Sequence, residues 1–582
     1  MLEQLIHNGI LVPPDPPYYK LTLTIRGERR ELEPRQEEMA IAWARKIGTE
    51  YVQDSGFCKN FMRDFSKELG VKPPLSVGEV DFHPALEIVQ AERLAKEQLT
   101  PEERKALAAQ RKAAREQLKE QYGHATVNGE RVELGNYIAE PSSIFMGRGK
   151  HPLRGKWKQG ARQSDITLNL GPDAPRPEGD WAEIIWQPES LWVARWEDKL
   201  TGKLKYVWLS DTAPVKQERE AHKFDKAEAL EQNIQDIRAH IERDLADPDP
   251  KRRMVATACY LIDKLCLRVG DEKDPDEADT VGATTLRPEH ITLHEDGAAE
   301  FKFLGKDSVL WHKKIQPSNV VLNNLRELIQ NAHPSGSANN DKPQIFPTID
   351  SGHVNAYLNE ILPGLTAKVF RTHHATQAVN QSLVESGVEA GDAEYQKWGA
   401  VTMANLEAAI LCNHYKKAPD ASRWQERRKK ASERKDQVEE RLATYREAAR
   451  QAGEALAALK RDARERKAAA EKPEQKTRIA ASYAKKIERA EKKLQATQER
   501  LGRIKDALGK LETQDNVAAK GRTWNLGTSL KSYIDPRVYY RWGLQVDYDV
   551  LGIYYPKTLQ RKFAWVKEQE QPDNVEHESA DD

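Results

Sequence analysis

Val438–Lys460 reads VEERLATYREAARQAGEALAALK, and its apolar residues Val438, Leu442, Tyr445, Ala449, Ala452, Leu456 and Leu459 follow one another at alternating steps of four and three. After a polar stretch around Pro473 a second series keeps the same rhythm: Tyr483, Ile487, Ala490, Leu494, Thr497, Leu501, Ile504, Leu508 and Leu511. Steps that average 3.5 keep one narrow stripe of a helix turned toward a partner helix and leave charge elsewhere. Two such helices with a short break between them predict an antiparallel hairpin. A parallel coiled-coil dimer is the weaker alternative, because the break lets the chain fold back.

Outward from the hairpin the pattern changes on both sides. Beyond it, Asn525–Trp565 is short and rich in aromatic residues, too small to bury a core of its own. Before it, residues 213–417 read as mainly helical, interrupted by Ile291–Ile315, ITLHEDGAAEFKFLGKDSVLWHKKI, which predicts three antiparallel strands joined by the turns HEDGAA and GKDS. The second turn carries Lys306 and Asp307 outward. Residues 1–213 mix strands, such as the alternating KLTLTI of Lys20–Ile25, with a highly charged helix over Pro101–Tyr122. The fold class is multidomain α+β.

The 582 residues hold 91 Lys+Arg and 91 Asp+Glu, 39% hydrophobic and 31% charged residues. Chance neutrality would give no reason to expect a polyanionic partner, but the charge is segregated. Ala421–Glu512 carries 27 basic and 16 acidic residues, and Lys567–Asp582 has one Lys against seven acids. Gly147–Gln163 has six basic residues, no acid, and four interleaved glycines. Such a loop can bring amides and guanidinium groups to phosphates, or it can be a solvated basic loop; charge alone leaves both open. The acidic end reads as a solubilising tail.

Several chemistries are excluded. There is no P-loop, no HExxH, and the acidic run Asp274–Asp279 lacks calcium-loop spacing and reads as a solvated turn. Four cysteines without a CxxC pair argue against a disulfide framework or a structural zinc, which leads us to expect a reduced, intracellular protein. No apolar run approaches the roughly 18 residues of a membrane span. The N-terminal MLEQLIHNGILVPPDPP is broken by His7, Asn8 and prolines before a signal-peptide core forms.

Five segments occur in order: LCLRVGDEK (Leu265–Lys273), LGKDS (Leu304–Ser308), TAKVFRT (Thr366–Thr372), AILCNH (Ala409–His414) and LGTSLKSYIDPR (Leu526–Arg537). With SIFMGRGKHP (Ser143–Pro152), ADTVG (Ala278–Gly282), the KFAW of Lys562–Trp565 and the hairpin, they resemble the eukaryotic-type topoisomerases of class IB over nearly the whole chain. The resemblance implies an N-terminal DNA-clamp (cap) region over 1–213, a mostly helical catalytic core of the tyrosine recombinase/topoisomerase IB type over 214–417, a coiled-coil linker over 418–515, a C-terminal domain carrying the nucleophile over 516–566 and an acidic disordered tail over 567–582.

The same resemblance implies that Tyr533 is the nucleophile, that Arg268, Arg371 and His414 stabilise the transition state, and that Lys306 is the general acid. It further implies DNA contacts by Arg148, Lys150, Lys205, Asp307, Asn413, Lys368 and Ser532. A tyrosine that attacks a phosphodiester stores the bond as a phosphotyrosine, so resealing needs no ATP. Cationic side chains can take the charge that a metal takes elsewhere, so no metal and no nucleotide cofactor is expected. The implied partner is supercoiled double-stranded DNA held by a monomer, away from membranes, in the cytoplasm or nucleoid, or in the nucleus if the source is eukaryotic. The absence of the long charged N-terminal extension of nuclear relatives leads us to expect either an archaeal or other prokaryotic member or a shortened chain. Two departures, Asp271 after the RxG triplet and Ser532 before the tyrosine, bear on groove contacts and on the site that camptothecin uses in relatives.

Two rival functions use the same residue types. A site-specific tyrosine recombinase usually has HxxR in the second cluster, whereas this chain has Lys368-Val369-Phe370-Arg371, and 119 positions separate His414 from Tyr533. A non-catalytic DNA-binding coiled-coil protein would not need all five catalytic types.

Overall fold

Leu23 and Ile25, the inward positions of KLTLTI, are buried, as two-residue periodicity demands, in the computed structural model, which describes residues 2–271, 279–334 and 342–570. The chain divides into two units. One runs to Val369 and takes in Arg561–Phe563; the other comprises Phe370–Gln560 and the stretch from Ala564.

The first unit begins with β1 (Leu5–His7), β2 (Thr22–Ile25), β3 (Glu28–Glu31), α1 (Pro34–Ala44), α2 (Ser55–Leu69), β4 (Val80–Asp81), α3 (His83–Glu97) and α4 (Pro101–Tyr122). The strands order as β3-β2-β4. They pack on an aromatic core in which Trp43 stacks on Phe61 with centroids 4.6 Å apart, a pair contributing about 1 kcal/mol beyond its area. Helix α4 buries no residue at all; a capping box between Thr100 and Glu103 and Pro101 in its first turn start it.

There follow β5 (His124–Val127), β6 (Glu130–Glu133), β7 (Ser143–Ile144), β8 (Trp157–Lys158), β9 (Ile166–Asn169), β10 (Glu183–Ile185), β11 (Trp192–Glu197) and β12 (Leu204–Trp208). They form sheets β1-β5-β6, β7-β8 and β10-β9-β11-β12. A second core, with Leu168, Val193 and Val207 fully buried, lies beneath them.

The rest of this unit is α5 (Pro214–Asp244), α6 (Pro250–Leu265), β13 (Ile291–Leu293), β14 (Ala299–Gly305), β15 (Val309–Ile315), α7 (Asn319–Gln330) and α8 (Ser351–Ile361). The three strands are antiparallel, with Gly305 paired to Val309 around the Lys306 turn. Asp279, read from the sequence as part of a solvated turn, is exposed and also ion-paired, to Arg287 at 2.5 Å and Lys342 at 2.8 Å. Arg287 is buried, and a buried guanidinium requires a carboxylate. The two cations hold the Asp279 carboxyl far below its ordinary range. Residues 272–278 of that run lie outside the described residues. Arg561–Phe563 belongs here: Arg561 pairs with Glu133 at 3.0 Å, Lys562 with Glu220 at 2.9 Å, and Phe563 meets Phe224.

Helix α9 (Ala367–Glu385) begins in the first unit and continues into the second, which then holds α10 (Glu394–Leu411), α11 (Ala421–Ala469), α12 (Pro473–Lys520), α13 (Leu526–Ser532), α14 (Pro536–Gln545), α15 (Val550–Ile553), all but the last two residues of α16 (Lys557–Lys562), and α17 (Trp565–Glu570). Helices α11 and α12 run antiparallel, as their cross-pairs state: Arg428 with Asp515, Lys435 with Glu512 at 2.9 Å, and Lys460 with Glu491 at 2.7 Å. Every residue of the two four-and-three series is buried or half-buried, whereas most of their neighbours are exposed. At its base α12 lies on α10, where a Cβ on Gly399 would fall 2.6 Å from Thr513 Cγ2 and one on Gly509 would run into the Tyr395 hydroxyl. Lys567–Glu570, expected to open the acidic tail, is helical and anchored by Arg541 to Glu570 at 2.7 Å; residues 571–582 lie outside the described residues. No helix of the described residues is long and apolar enough to cross a membrane.

Candidate active site

Helix α10 ends in a way that fixes His414. The Asn413 amide donates to the Ile410 carbonyl at 3.0 Å and the His414 amide to the Ala409 carbonyl at 2.8 Å, while Asn413 takes φ +54°. This is a Schellman terminus, whose first residue past the cap must be left-handed, and Asn tolerates that region better than most residues with a Cβ. Asn413, read from the resemblance as a DNA contact, therefore also has a backbone task. The chain then leaves α10 with His414 turned inward and 7% exposed.

Helix α13 and Asn525, the residue that precedes it, clasp that histidine twice. The His414 carbonyl accepts from the Asn525 amide at 2.7 Å, and its Nδ1 lies 2.7 Å from Ser529 Oγ. The carbonyl of the same Ser529 accepts from the amides of Tyr533 at 2.9 Å and Ile534 at 3.1 Å. Tyr533 thus sits at the end of α13, 5% exposed, its ring centroid 5.2 Å from that of His414.

Arg371, on α9 and 2% exposed, places its guanidinium carbon 5.1 Å from the centroid of the Tyr533 ring and donates to the Cys412 carbonyl at 2.9 Å. Farther along α9, Thr376 Oγ1 donates to the Tyr533 carbonyl at 3.4 Å and accepts from the Asp535 amide at 3.1 Å. Asp535 caps α14 and is held by Arg537 Nη2 at 2.8 Å. Arg371, His414 and Tyr533 therefore converge, with Ser532 half-buried beside them. Tyr539 does not join them: it is fully enclosed, its hydroxyl faces the Val401 carbonyl, and burial pushes its phenol well above the ordinary value.

The first unit assembles a second group. Arg268 follows α6 and is half-buried in a loop where Gly270 has φ +84° and packs on Gly282. The Ala283 amide donates to the Arg268 carbonyl at 2.9 Å and the Thr284 amide to the Val269 carbonyl at 2.8 Å. Val281, in the same short segment, donates to the Leu304 carbonyl at 2.8 Å, next to the Lys306 turn. Residues 281–284 thus bind the Arg268 loop and the Lys306 turn to one another.

Lys306 is exposed at the tip between β14 and β15, where Asp307 (φ +64°) and Ser308 (φ +58°) are both left-handed. Two such residues cost of order 1–3 kcal/mol each, which the paired strands must over-determine. Arg148 reaches that turn, with Nη1 2.5 Å from Asp307 Oδ1, and Lys150 is exposed two residues on. Lys205 lies apart on β12, 3.6 Å from the buried Asp198, which also holds Lys158 at 2.8 Å. Lys368 is exposed on the first turn of α9, and Asp271 accepts from the Ser351 amide at 3.1 Å.

Ser529, Thr376 and Gly282 were not singled out by sequence reasoning. The first lies inside the segment quoted for the tyrosine and the third inside ADTVG, so both were in view as letters without a partner. Among the described residues no group of three or more His, Cys, Asp or Glu is placed to hold a metal ion.

Three family profiles match the chain: "Eukaryotic DNA topoisomerase I, DNA binding fragment" over residues 2–209, "Eukaryotic DNA topoisomerase I, catalytic core" over 212–449, and "C-terminal topoisomerase domain" over 505–575. DNA topoisomerase 1 beta of Arabidopsis thaliana is 33% identical over 575 residues, 97% of this chain and 58% of that protein. DNA topoisomerase 1 of Homo sapiens is 31% identical over 579 residues, 96% of this chain and 70% of that protein. The chain thus spans a little over half the length of the plant relative. With its matched segments beginning at residue 2 and ending at residue 575, the chain belongs to the eukaryotic-type DNA topoisomerase I family, type IB.

Proposed function

We propose that this protein relaxes positively and negatively supercoiled DNA by cutting and resealing one strand, without ATP and without a metal ion. The observation that carries the reading is the convergence of Arg371 and His414 on Tyr533. A guanidinium and an imidazole beside a phenol are the groups that a phosphoryl transfer to tyrosine needs. The relatives, DNA topoisomerases by name, point the same way.

In this reading Tyr533 Oη bonds to phosphorus, the phosphorus–O5′ bond breaks, and the phosphate ends as a 3′-phosphotyrosine. The tyrosine proton leaves to solvent, and Lys306 delivers a proton to the departing O5′. Negative charge gathers on the two non-bridging oxygens, where Arg268 and Arg371 give forked hydrogen bonds and His414 gives a third. Reversal uses the same groups: O5′ returns, loses its proton to Lys306 and expels Tyr533. Because the covalent link keeps the phosphoester energy, no nucleotide is consumed.

The N-terminal region and the Arg148 loop act as a clamp, with Arg148, Lys150, Lys205, Asp307, Lys368, Asn413 and Ser532 as DNA contacts. The basic α11–α12 hairpin serves as the linker that slows rotation of the downstream duplex. The test is plasmid relaxation in EDTA without ATP, beside Tyr533→Phe. Wild type should relax both signs of supercoil; the variant should bind DNA, relax none and form no adduct. Full relaxation by Tyr533→Phe, or an absolute magnesium requirement, overturns the reading. Mass spectrometry of the DNA-linked peptide separates Tyr533 from Tyr540.

A further inference from the structure

We infer that Ser529 is a positioning residue that acts through His414, holding the imidazole so that Nε2 can carry its hydrogen toward the substrate in either protonation state. The inference rests on the proposed function and deepens it. Its basis is the 2.7 Å contact between Ser529 Oγ and His414 Nδ1, across 115 positions of sequence, with the serine completely buried.

The choice of a hydroxyl matters chemically. For His414 to donate to a phosphate oxygen, Nε2 must bear hydrogen. A neutral imidazole then has a bare Nδ1, which needs a donor; an imidazolium has Nδ1–H, which needs an acceptor. A serine hydroxyl serves both, because it donates or accepts by rotating about its C–O bond. A carboxylate or a carbonyl accepts only. Either would fix hydrogen on Nδ1, so a neutral histidine would lose it from Nε2 and donate only when protonated. With Ser529, the tautomer that bears hydrogen on Nε2 stays allowed on both sides of the histidine titration, and a phosphate oxygen at Nε2 selects it.

Ser529 is also placed to link this ring to the nucleophile. Its carbonyl accepts the Tyr533 and Ile534 amides, and Asn525, which precedes the helix α13 that carries Ser529, meets His414 again through its amide. One residue thus sets the tyrosine through its backbone and the histidine through its side chain. Arg371, permanently charged, lies over the Tyr533 ring, and that ring lies beside His414.

The test is single-turnover cleavage of a DNA duplex oligonucleotide across pH 5.5–9, with wild type, Ser529→Ala, Ser529→Thr and Ser529→Asp. DNA affinity and thermal melting show that each variant is folded. Ser529→Ala should lower the cleavage rate about tenfold without weakening binding, the low end of the loss seen when a metal-bound histidine loses the partner that orients its ring. Ser529→Thr, which keeps the hydroxyl, should restore the rate. The rate of Ser529→Asp, divided by that of wild type at the same pH, should fall as pH rises through the histidine titration. In a His414→Gln background, adding Ser529→Ala should cost nothing further. A normal rate for Ser529→Ala, an additive effect on His414→Gln, or a wild-type pH profile for Ser529→Asp overturns the inference. If wild type itself forms no adduct at Tyr533, the functional reading fails instead.

Discussion

Gly270 and Gly282 meet backbone to backbone: a Cβ on Gly282 would stand 2.5 Å from the Gly270 Cα and 2.9 Å from the Arg268 carbonyl oxygen. Neither neighbour is a flexible side-chain end, so the chain itself must move to admit a methyl group. Gly282→Ala should destabilise the protein by about 1–3 kcal/mol and shift Arg268. We expect cleavage by this variant to fall more than DNA affinity does, measured by adduct yield against a binding isotherm. Equal losses in both would mean that Arg268 was not the group displaced.

Asn413 ends α10 in a left-handed conformation. Asn413→Gly should leave melting nearly unchanged. Asn413→Val forces a β-branched residue into the same region and should cost about 1–2 kcal/mol, together with misplacement of His414. Comparison of the two melting temperatures, with cleavage rates alongside, separates the backbone task from any contact made by the amide. A slow Asn413→Gly with normal melting would assign the amide a direct role on DNA.

Arg148 and Asp307 form an exposed pair, and exposed pairs contribute at most about 1 kcal/mol. Arg148→Ala should therefore melt within a degree or two of wild type. If Arg148 neutralises a phosphate, the variant should bind DNA more weakly and the slope of log affinity against log salt should become shallower by about one unit. An unchanged slope would leave Arg148 as a partner of Asp307 alone.

Lys223 on α5 is largely buried among Glu220, Lys562 and Lys368, and burial pulls its ammonium down to about 8. A lysine depressed in the folded state binds fewer protons there than in the unfolded chain between about pH 8 and 10.5. Its penalty on stability is therefore complete below 8 and lifts as pH rises through that window. Lys223→Met, with Glu220 still held by Lys562, should gain most over wild type at pH 7 and lose that advantage by pH 10 in melting experiments. A constant difference across pH would show that Lys223 is not the titrating group.

How far the sequence could be read depended on how local each determinant is. Strand alternation in KLTLTI, the LGKDS turn and the four-and-three spacing are set within a few residues, and the buried positions of the structure fall where those rules place them. The ordered words around Arg268, Lys306, Arg371, His414 and Tyr533 picked out residues that the structure gathers as two groups, one in each unit. Contacts that span the chain were not legible. Nothing in LGTSLKSY says that Ser529 will meet a histidine 115 positions earlier, and nothing in ADTVG says that its glycine must match the one in RVG. Asn413 was visible as a letter, but its left-handed backbone depends on where α10 stops. Asp279 is exposed as a solvated turn would have it, but its pairing with Arg287 and Lys342 could not be read from the acidic run alone.

The contact of Gly399 and Gly509 with Thr513 and Tyr395 gives the hairpin the mechanics of a long arm on a short pivot. Helix α11 runs for 49 residues, which at 1.5 Å each is about 73 Å. A tilt of about 5° at the pivot displaces the far end by about 6 Å, more than a helical turn. A methyl group added at either glycine, far too small to alter the arm itself, would be read out at the tip as a swing large enough to change what the arm brushes against.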